Sequence, residues 1–125
     1  MILDTNALSD FLAEDRGLLR VLPAHARLHL PVIVLGEFRY GIQRSRERAK
    51  LSRRLAELEA DAEILPVDVE AASYYATIRE QLRQEGQPIP QNDAWIAAIA
   101  LLHNLPIVSR DAHFDRVHGV RRIAW

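Results

Sequence analysis

Two short apolar runs that each end in an acid constrain this chain more than any other feature: Ile2-Leu3-Asp4 near the start, and Pro106-Ile107-Val108-Ser109-Arg110-Asp111 near the end. In an open α/β sheet, ligands sit outside the carboxyl ends of the strands, where strands give way to helices. An Asp at such a point is placed for chemistry. Thr5 and Asn6 follow the first acid, and both can turn the chain and satisfy the free N–H groups of the next helix. Two further acids, Glu37 and Asp93, lie in otherwise apolar helical patterns.

The rest of the pattern alternates strands with helices. Met1–Leu3 reads as a very short first strand, followed by helices over Asn6–Leu12 and Gly17–Leu22. Leu28–Val32 reads as a strand, with Pro31 at its end. A helical period runs from Ile33 to Ile42. Within it, Ile33, Val34, Tyr40 and Gly41 lie three or four residues from Glu37, which aims that acid into a mostly apolar face. A lone buried carboxylate costs several kcal/mol, about the scale of a broken buried pair, unless it is paired, protonated or bound to metal. A simple salt bridge to Arg39 or Arg110 is the plain alternative.

Ser45–Ala60 reads as a long charged helix with the stripe Leu51, Leu55 and Leu58. A short strand follows at Glu63–Val67. Asp68 then caps a helix to Glu85, with Ala71, Tyr75, Ile78 and Leu82 inward and Gly86 closing it. Gln91–His103 is the most apolar helix, capped by Gln91 or Asn92. Asp93 falls in its first turn, where the helix dipole favours an acid. It also shares a stripe with Ile96, Ala97 and Ala100. Ile107–Ser109 forms another strand, and Val120–Trp125 an edge strand. The implied fold is α/β: a three-layer α/β/α sandwich around a small, mainly parallel twisted sheet, in a single domain over residues 1–125. With 49% apolar residues the chain can build such a core.

Charge is polarised along the chain although the net charge is only −1. Arg39, Arg44, Arg46, Arg48, Lys50, Arg53 and Arg54 stand against one acid, Glu47; Glu57 to Glu70 then contains acids and no basic residue. The basic run is suited to phosphate contact, and a solvated helix face is the plain reading. There is no cysteine, which excludes disulfides and thiolate zinc sites and is compatible with a reducing cytoplasm. The first residues do not form a signal peptide. His25 and His29 have the i,i+4 spacing of a zinc pair, but a loop entering a strand is a poor place for one. His113 lies near the acids, with its role open. No phosphate-cradling glycine loop or hydrolase elbow occurs.

Asp4, Glu37, Asp93 and Asp111 fall at equivalent topological places. Gathered together they repel one another unless protonated or bridged by a hard divalent cation. Mg²⁺ and Mn²⁺ favour carboxylate and water oxygens. Such a site can lower the pKa of a water and neutralise a phosphodiester, so the acids point to metal-dependent phosphodiester hydrolysis.

Four blocks then carry a resemblance that spans essentially the whole chain: Ile2-Leu3-Asp4-Thr5-Asn6; Val34-Leu35-Gly36-Glu37-Phe38-Arg39-Tyr40-Gly41; Ile89-Pro90-Gln91-Asn92-Asp93-Ala94-Trp95-Ile96-Ala97-Ala98; and Val108-Ser109-Arg110-Asp111-Ala112-His113-Phe114. In this order, with one acid each, they resemble the PIN-domain ribonucleases and, within them, the VapC-type toxins of toxin–antitoxin pairs. The resemblance implies the PIN-like sandwich and an acidic quartet at Asp4, Glu37, Asp93 and Asp111. It implies Thr5 and Asn6 as supports of the first acid, Asn92 as a partner of Asp93, and Asp115 at the pocket edge. It implies cleavage of structured or single-stranded RNA of the tRNA or rRNA class with Mg²⁺, Mn²⁺ substituting. The partners implied are the RNA and a small antitoxin, with a homodimer assembling into a heterotetramer or larger. Arg39, Arg44, Arg46, Arg48, Lys50 and Arg110 are the RNA-contact candidates. Two rivals remain at this stage: a non-catalytic RNA- or antitoxin-binding module, and a metal-dependent phosphatase, which the missing second Asp of DxDx[TV] disfavours. Relatives of this kind usually have several residues before the first strand, so a strand this short is expected to pack incompletely unless the natural start differs.

Overall fold

A computed structural model describes residues 1–125. Its centre is a five-stranded sheet in which every pairing is parallel. The strands are β1 (Ile2–Leu3), β2 (His29–Pro31), β3 (Glu63–Leu65), β4 (Ile107–Val108) and β5 (Arg122–Ile123). The helices are α1 (Thr5–Leu12), α2 (Arg16–Val21), α3 (Val32–Gly41), α4 (Arg48–Asp61), α5 (Val69–Gln84) and α6 (Gln91–His103), with a 3₁₀ turn at Ala112–Arg116.

Spatial order is β3-β2-β1-β4-β5. The chain therefore winds outward from β1 to β3, returns, and continues on the other side through β4 and β5. The direction switches between β1 and β4, and a crevice opens there at the strand ends. The right-handed crossover rule for parallel strands assigns α1–α4 to one face and α5–α6 to the other. α1 packs on α2, α3 and α4, while α5 packs along α6. The stacked rings of Tyr75 and Trp95, with centroids 3.9 Å apart and planes 14° apart, join that second pair. This is the α/β sandwich expected from the alternation of elements, with a sheet that is wholly rather than mainly parallel.

The short first strand packs completely. Ile2 and Leu3 are both 0% exposed, because β1 lies in the middle of the sheet between β2 and β4. The expectation of an incompletely packed strand is therefore corrected: central placement, not length, decides burial here. Around it lie Leu8, Leu18, Leu30, Ile78, Leu82, Ile96, Ile99, Ile107 and Phe114, all buried.

Local chemistry also shifts several boundaries. Asp4 caps α1 itself, accepting a hydrogen bond from the Thr5 N–H, so Thr5 and Asn6 are not the cap. Pro31 ends β2 and leads directly into α3. α4 begins at Arg48 rather than Ser45, since residues 43–47 turn and the Ser45 hydroxyl accepts from the Glu47 N–H. Asp68 caps α5 as expected. α6 has Pro90 at its cap position and no side-chain cap, in place of the expected Gln91 or Asn92. His29 lies in buried β2 beside the Met1 amine and Glu63, while His25 is exposed in the preceding loop, so they form no zinc pair. No helix is long and apolar enough to cross a membrane.

Candidate active site

The crevice at the β1–β4 switch point collects all four acids. Asp4 leaves the end of β1, and its N–H donates to the Val108 carbonyl of β4 at 3.1 Å. Parallel pairing of Leu3 with Val108 sets Asp4 and Ser109 side by side. Asp4 is 4% exposed, and its carboxylate is well supplied with donors. The Thr5 N–H donates to Oδ1 at 2.7 Å. The Asn6 amide and the Ser109 hydroxyl donate to Oδ2 at 3.1 and 2.7 Å. Ser109 is itself fully buried and accepts from the Asp111 N–H at 2.9 Å. One hydroxyl thus ties the two strand-end acids together. Asn6 spans the same gap, its Oδ1 accepting from the Arg110 N–H at 3.1 Å.

Asp111 caps the 3₁₀ turn by accepting from the His113 N–H. Asp93, in the first turn of α6, is 9% exposed. His113 Nδ1 lies 2.9 Å from Asp111 Oδ1 and 3.2 Å from Asp93 Oδ2. One ligand atom from each of Asp93, Asp111 and His113 falls within 4.8 Å of the others, a spacing that suits a metal ion. Burial pushes Asp93 up to about 6; His113 opposes this, while Asp111 and Asp4 add to it. Burial also raises Asp4, against its Ser109 and Thr5 hydrogen bonds and with help from Asp111. Burial in a poorly solvated crevice is the main cause for both, and the crowding of like charges adds to it.

Glu37 approaches from α3, which touches α6. Burial raises its pKa and the charge of Asp4 raises it further. Thr5 and Asn92 offset this only in part, and neither completes a hydrogen bond to it: Glu37 Oε1 and Thr5 Oγ1 are both buried without a partner. A buried oxygen left unpaired is costly. Neither arginine relieves it, because Arg39 pairs with Glu59 at 2.7 Å and Arg110 with Asp10 at 2.9 Å. The salt-bridge reading of Glu37 is thereby removed. Its neighbours also differ from the helical-face reading. Tyr40 is 82% exposed and Gly41 is exposed, so the buried face of α3 is Val34, Leu35 and Phe38.

Several other positions fall elsewhere than expected. Asn92 lies near Glu37 without completing a hydrogen bond to it, and it is not among the groups that shift Asp93. Thr5 supports Asp4 through its backbone, while its side chain belongs with Glu37. Asp115 gives both oxygens to the Arg122 guanidinium at 2.8 and 2.7 Å, so it stands at the rim outside the acid cluster. Arg110 is engaged by Asp10 and Arg39 by Glu59, while Arg44, Arg46, Arg48, Lys50 and Arg53 are exposed cations of the basic run, Lys50 lying 3.9 Å from Glu47. Sequence reasoning left His113 open and gave Ser109 no role. A hydroxyl residue two positions before a strand-end acid, and a histidine two positions after it, were the available signals.

The donor set is one of hard carboxylate oxygens with one imidazole beside them, and it includes a buried Glu37 oxygen without a partner on an acid that feels the charge of Asp4. These residues fit a divalent cation of the Mg²⁺ or Mn²⁺ type.

The sequence matches the PIN domain family over residues 1–120. Ribonuclease VapC5 of Mycobacterium tuberculosis is 36% identical over 99 residues, a stretch that covers 78% of this chain and 73% of that protein. Two solved structures are similar throughout. VapBC2 from Rickettsia felis, bound to a DNA fragment from its promoter, gives a TM-score of 0.86 at 25% identity, covering 99% of this chain and 97% of that one. FitAcB from Neisseria gonorrhoeae gives 0.82 at 28% identity, covering 98% and 95%.

Proposed function

Because the chain belongs to the PIN-domain family, we propose that it is a metal-dependent endoribonuclease, the toxin of a toxin–antitoxin pair. The observation that carries this reading is the meeting of four carboxylates from four separate elements, each linked to a neighbour by charge, with one buried Glu37 oxygen that no protein group satisfies. A binding module has no need of that arrangement, and its cost is offset when a cation is bound. The family relatives named as ribonucleases support the same reading.

In this proposal Asp4, Asp93 and Asp111 hold Mg²⁺, with Mn²⁺ substituting, and Glu37 completes the set. The cation supplies positive charge to a phosphodiester and lowers the pKa of a water. The chain's own residues do the rest. Ser109 and Asn6 fix Asp4 and Asp111 relative to each other. His113 sits between Asp93 and Asp111 and orients both carboxylates. Arg44, Arg46, Arg48 and Lys50 offer exposed charge to an RNA backbone of the tRNA or rRNA class. A cognate antitoxin is the expected protein partner, as the similarity to the VapBC2 and FitAcB complexes supports, and a homodimer is the expected working unit.

The test is cleavage of a mixed cellular RNA sample by purified protein, with Mg²⁺ or Mn²⁺, with EDTA, and with Asp4→Asn as the control for contaminating nuclease. Discrete fragments that require both metal and Asp4 are expected. Absence of cleavage together with a silent Mn²⁺ titration would overturn the proposal.

A further inference from the structure

The Ser109–Asp111 turn is held from outside the acid cluster as well as from within. Ser109 and Asp111 serve the crevice, and Arg110 between them is directed away from it. There its guanidinium pairs with Asp10 of α1 at 2.9 Å and lies over the Trp125 ring, 4.5 Å from the centroid. The Trp125 indole N–H closes the triangle by donating to the same Asp10 oxygen at 3.2 Å. Gly17 lies beside Trp125, where an added Cβ would stand 3.4 Å from Trp125 Cδ1 and 3.0 Å from Asp15 Oδ1. The adjoining strand grips the same turn. The Ser109 N–H donates to the Ile123 carbonyl at 3.0 Å, and Arg122 donates to the Ser109 carbonyl at 3.1 Å.

We propose that Asp10 and Trp125 clamp Arg110 and thereby set the position of Asp111 for the divalent cation, which makes all three positioning residues. The inference rests on the metal-site reading above. It gives Arg110 a role other than RNA contact. Each contact alone is of the exposed kind that adds little to stability. Joined in a triangle, they restrict the one turn whose neighbouring side chains reach both strand-end acids. Groups that bond a metal ligand directly alter affinity by about 10- to 100-fold when removed. A clamp one residue further out should have a smaller effect.

The experiment is a calorimetric Mn²⁺ titration of the full chain, with thermal unfolding in EDTA alongside. Trp125→Ala and Asp10→Asn should each weaken Mn²⁺ binding by about 3- to 10-fold, below the range of direct partners. Trp125→Phe, which keeps an aromatic ring under Arg110, should stay within about twofold of the unmodified protein, because cation–π attraction survives the change. Leu55→Val in α4 is the control: it lowers the melting temperature without moving Mn²⁺ affinity. Asp10→Asn, nearly isosteric, decides the matter if Trp125→Ala does not fold. Unchanged affinity in both clamp variants, with binding lost in Asp4→Asn, overturns the clamp alone. So does a pattern in which they alter only the salt dependence of RNA binding. Mn²⁺ binding that survives Asp4→Asn and Asp111→Asn overturns the metal site, and the clamp with it.

Discussion

Asp4 and Glu37 bring the same charge into one crevice from different elements, and the fold treats them differently. Asp4, at the end of a central strand, receives a backbone N–H, an amide and a hydroxyl. Glu37, on a helix that reaches the crevice from the side, keeps a buried oxygen with no partner. The difference follows from where each acid sits. A strand end lies beside the neighbouring strand and beside the N-terminus of its own helix, so donors converge on it. A mid-helix residue has its own N–H groups committed to the helix and depends on what lies opposite. One acid is therefore finished by the protein, whereas the other is left with an unsatisfied oxygen.

That contrast can be broken most directly with one substitution on each side. Ser109→Ala removes the hydroxyl shared by Asp4 and Asp111. It should reduce Mn²⁺ affinity by about 10- to 100-fold and lower the unfolding free energy of the metal-free protein by about 1–3 kcal/mol. Glu37→Gln should also weaken Mn²⁺ binding, by about 10-fold, the low end expected for a metal partner. Yet the metal-free protein should melt no lower, and should gain up to about 1 kcal/mol, because a buried charge near Asp4 is neutralised. Calorimetry and melts in EDTA read both effects. Stability changes of the same sign in the two variants would end the distinction.

Asp93 sharpens the comparison through pH. Its carboxyl is pushed up to about 6, well above the ordinary value of 3.8. Between those values the folded protein holds a proton that the unfolded chain has released, so stability declines as pH rises through the window and is greatest below it. The metal-free protein should lose on the order of 2 kcal/mol between about pH 4 and pH 6.5 from this group. Asp93→Asn should flatten that part of the profile. Mn²⁺ affinity should run the opposite way, falling as the pH drops below about 6 and protons compete for the ligand.

The smallest expected effect tests charge outside the crevice. Replacing Arg46, Arg48 and Lys50 by alanine should reduce the slope of log affinity against log salt by up to about 2, at about 0.7 per phosphate contact on single-stranded RNA. Melting temperature should barely move. An unchanged slope would make this run a solvated face and leave the acids as the whole of the functional surface.

Much of this arrangement was legible in the sequence, for a physical reason. Strand ends and helix starts are local events, so Ile2-Leu3-Asp4 and Ile107-Val108-Ser109-Arg110-Asp111 announce themselves through pattern alone. Asp68 as a cap and the inward stripe Asp93, Ile96, Ala97 and Ala100 were readable on the same grounds. Partner choice was not, because it depends on which elements meet. Arg39 faces Glu59 twenty residues on, Arg110 faces Asp10 a hundred residues back, and Asn92 lies near Glu37. The packing of β1 was misjudged for the same reason: its burial comes from β2 and β4, which lie far away along the chain.

The Ser109 to Asp4 hydrogen bond joins residues 105 positions apart. Closing so long a loop is slow and cannot begin before the later segment exists. On the ribosome, the first hundred residues can build β1 to β3 and the helices that cover them, but they cannot bring Asp111, His113 or Ser109 to Asp4. The acid cluster is therefore born late, after β4 has left the exit tunnel and docked beside β1. A chain abandoned midway carries Asp4 and Glu37 without their counterparts. Synthesis itself keeps the four acids apart until β4 has been made and has docked beside β1.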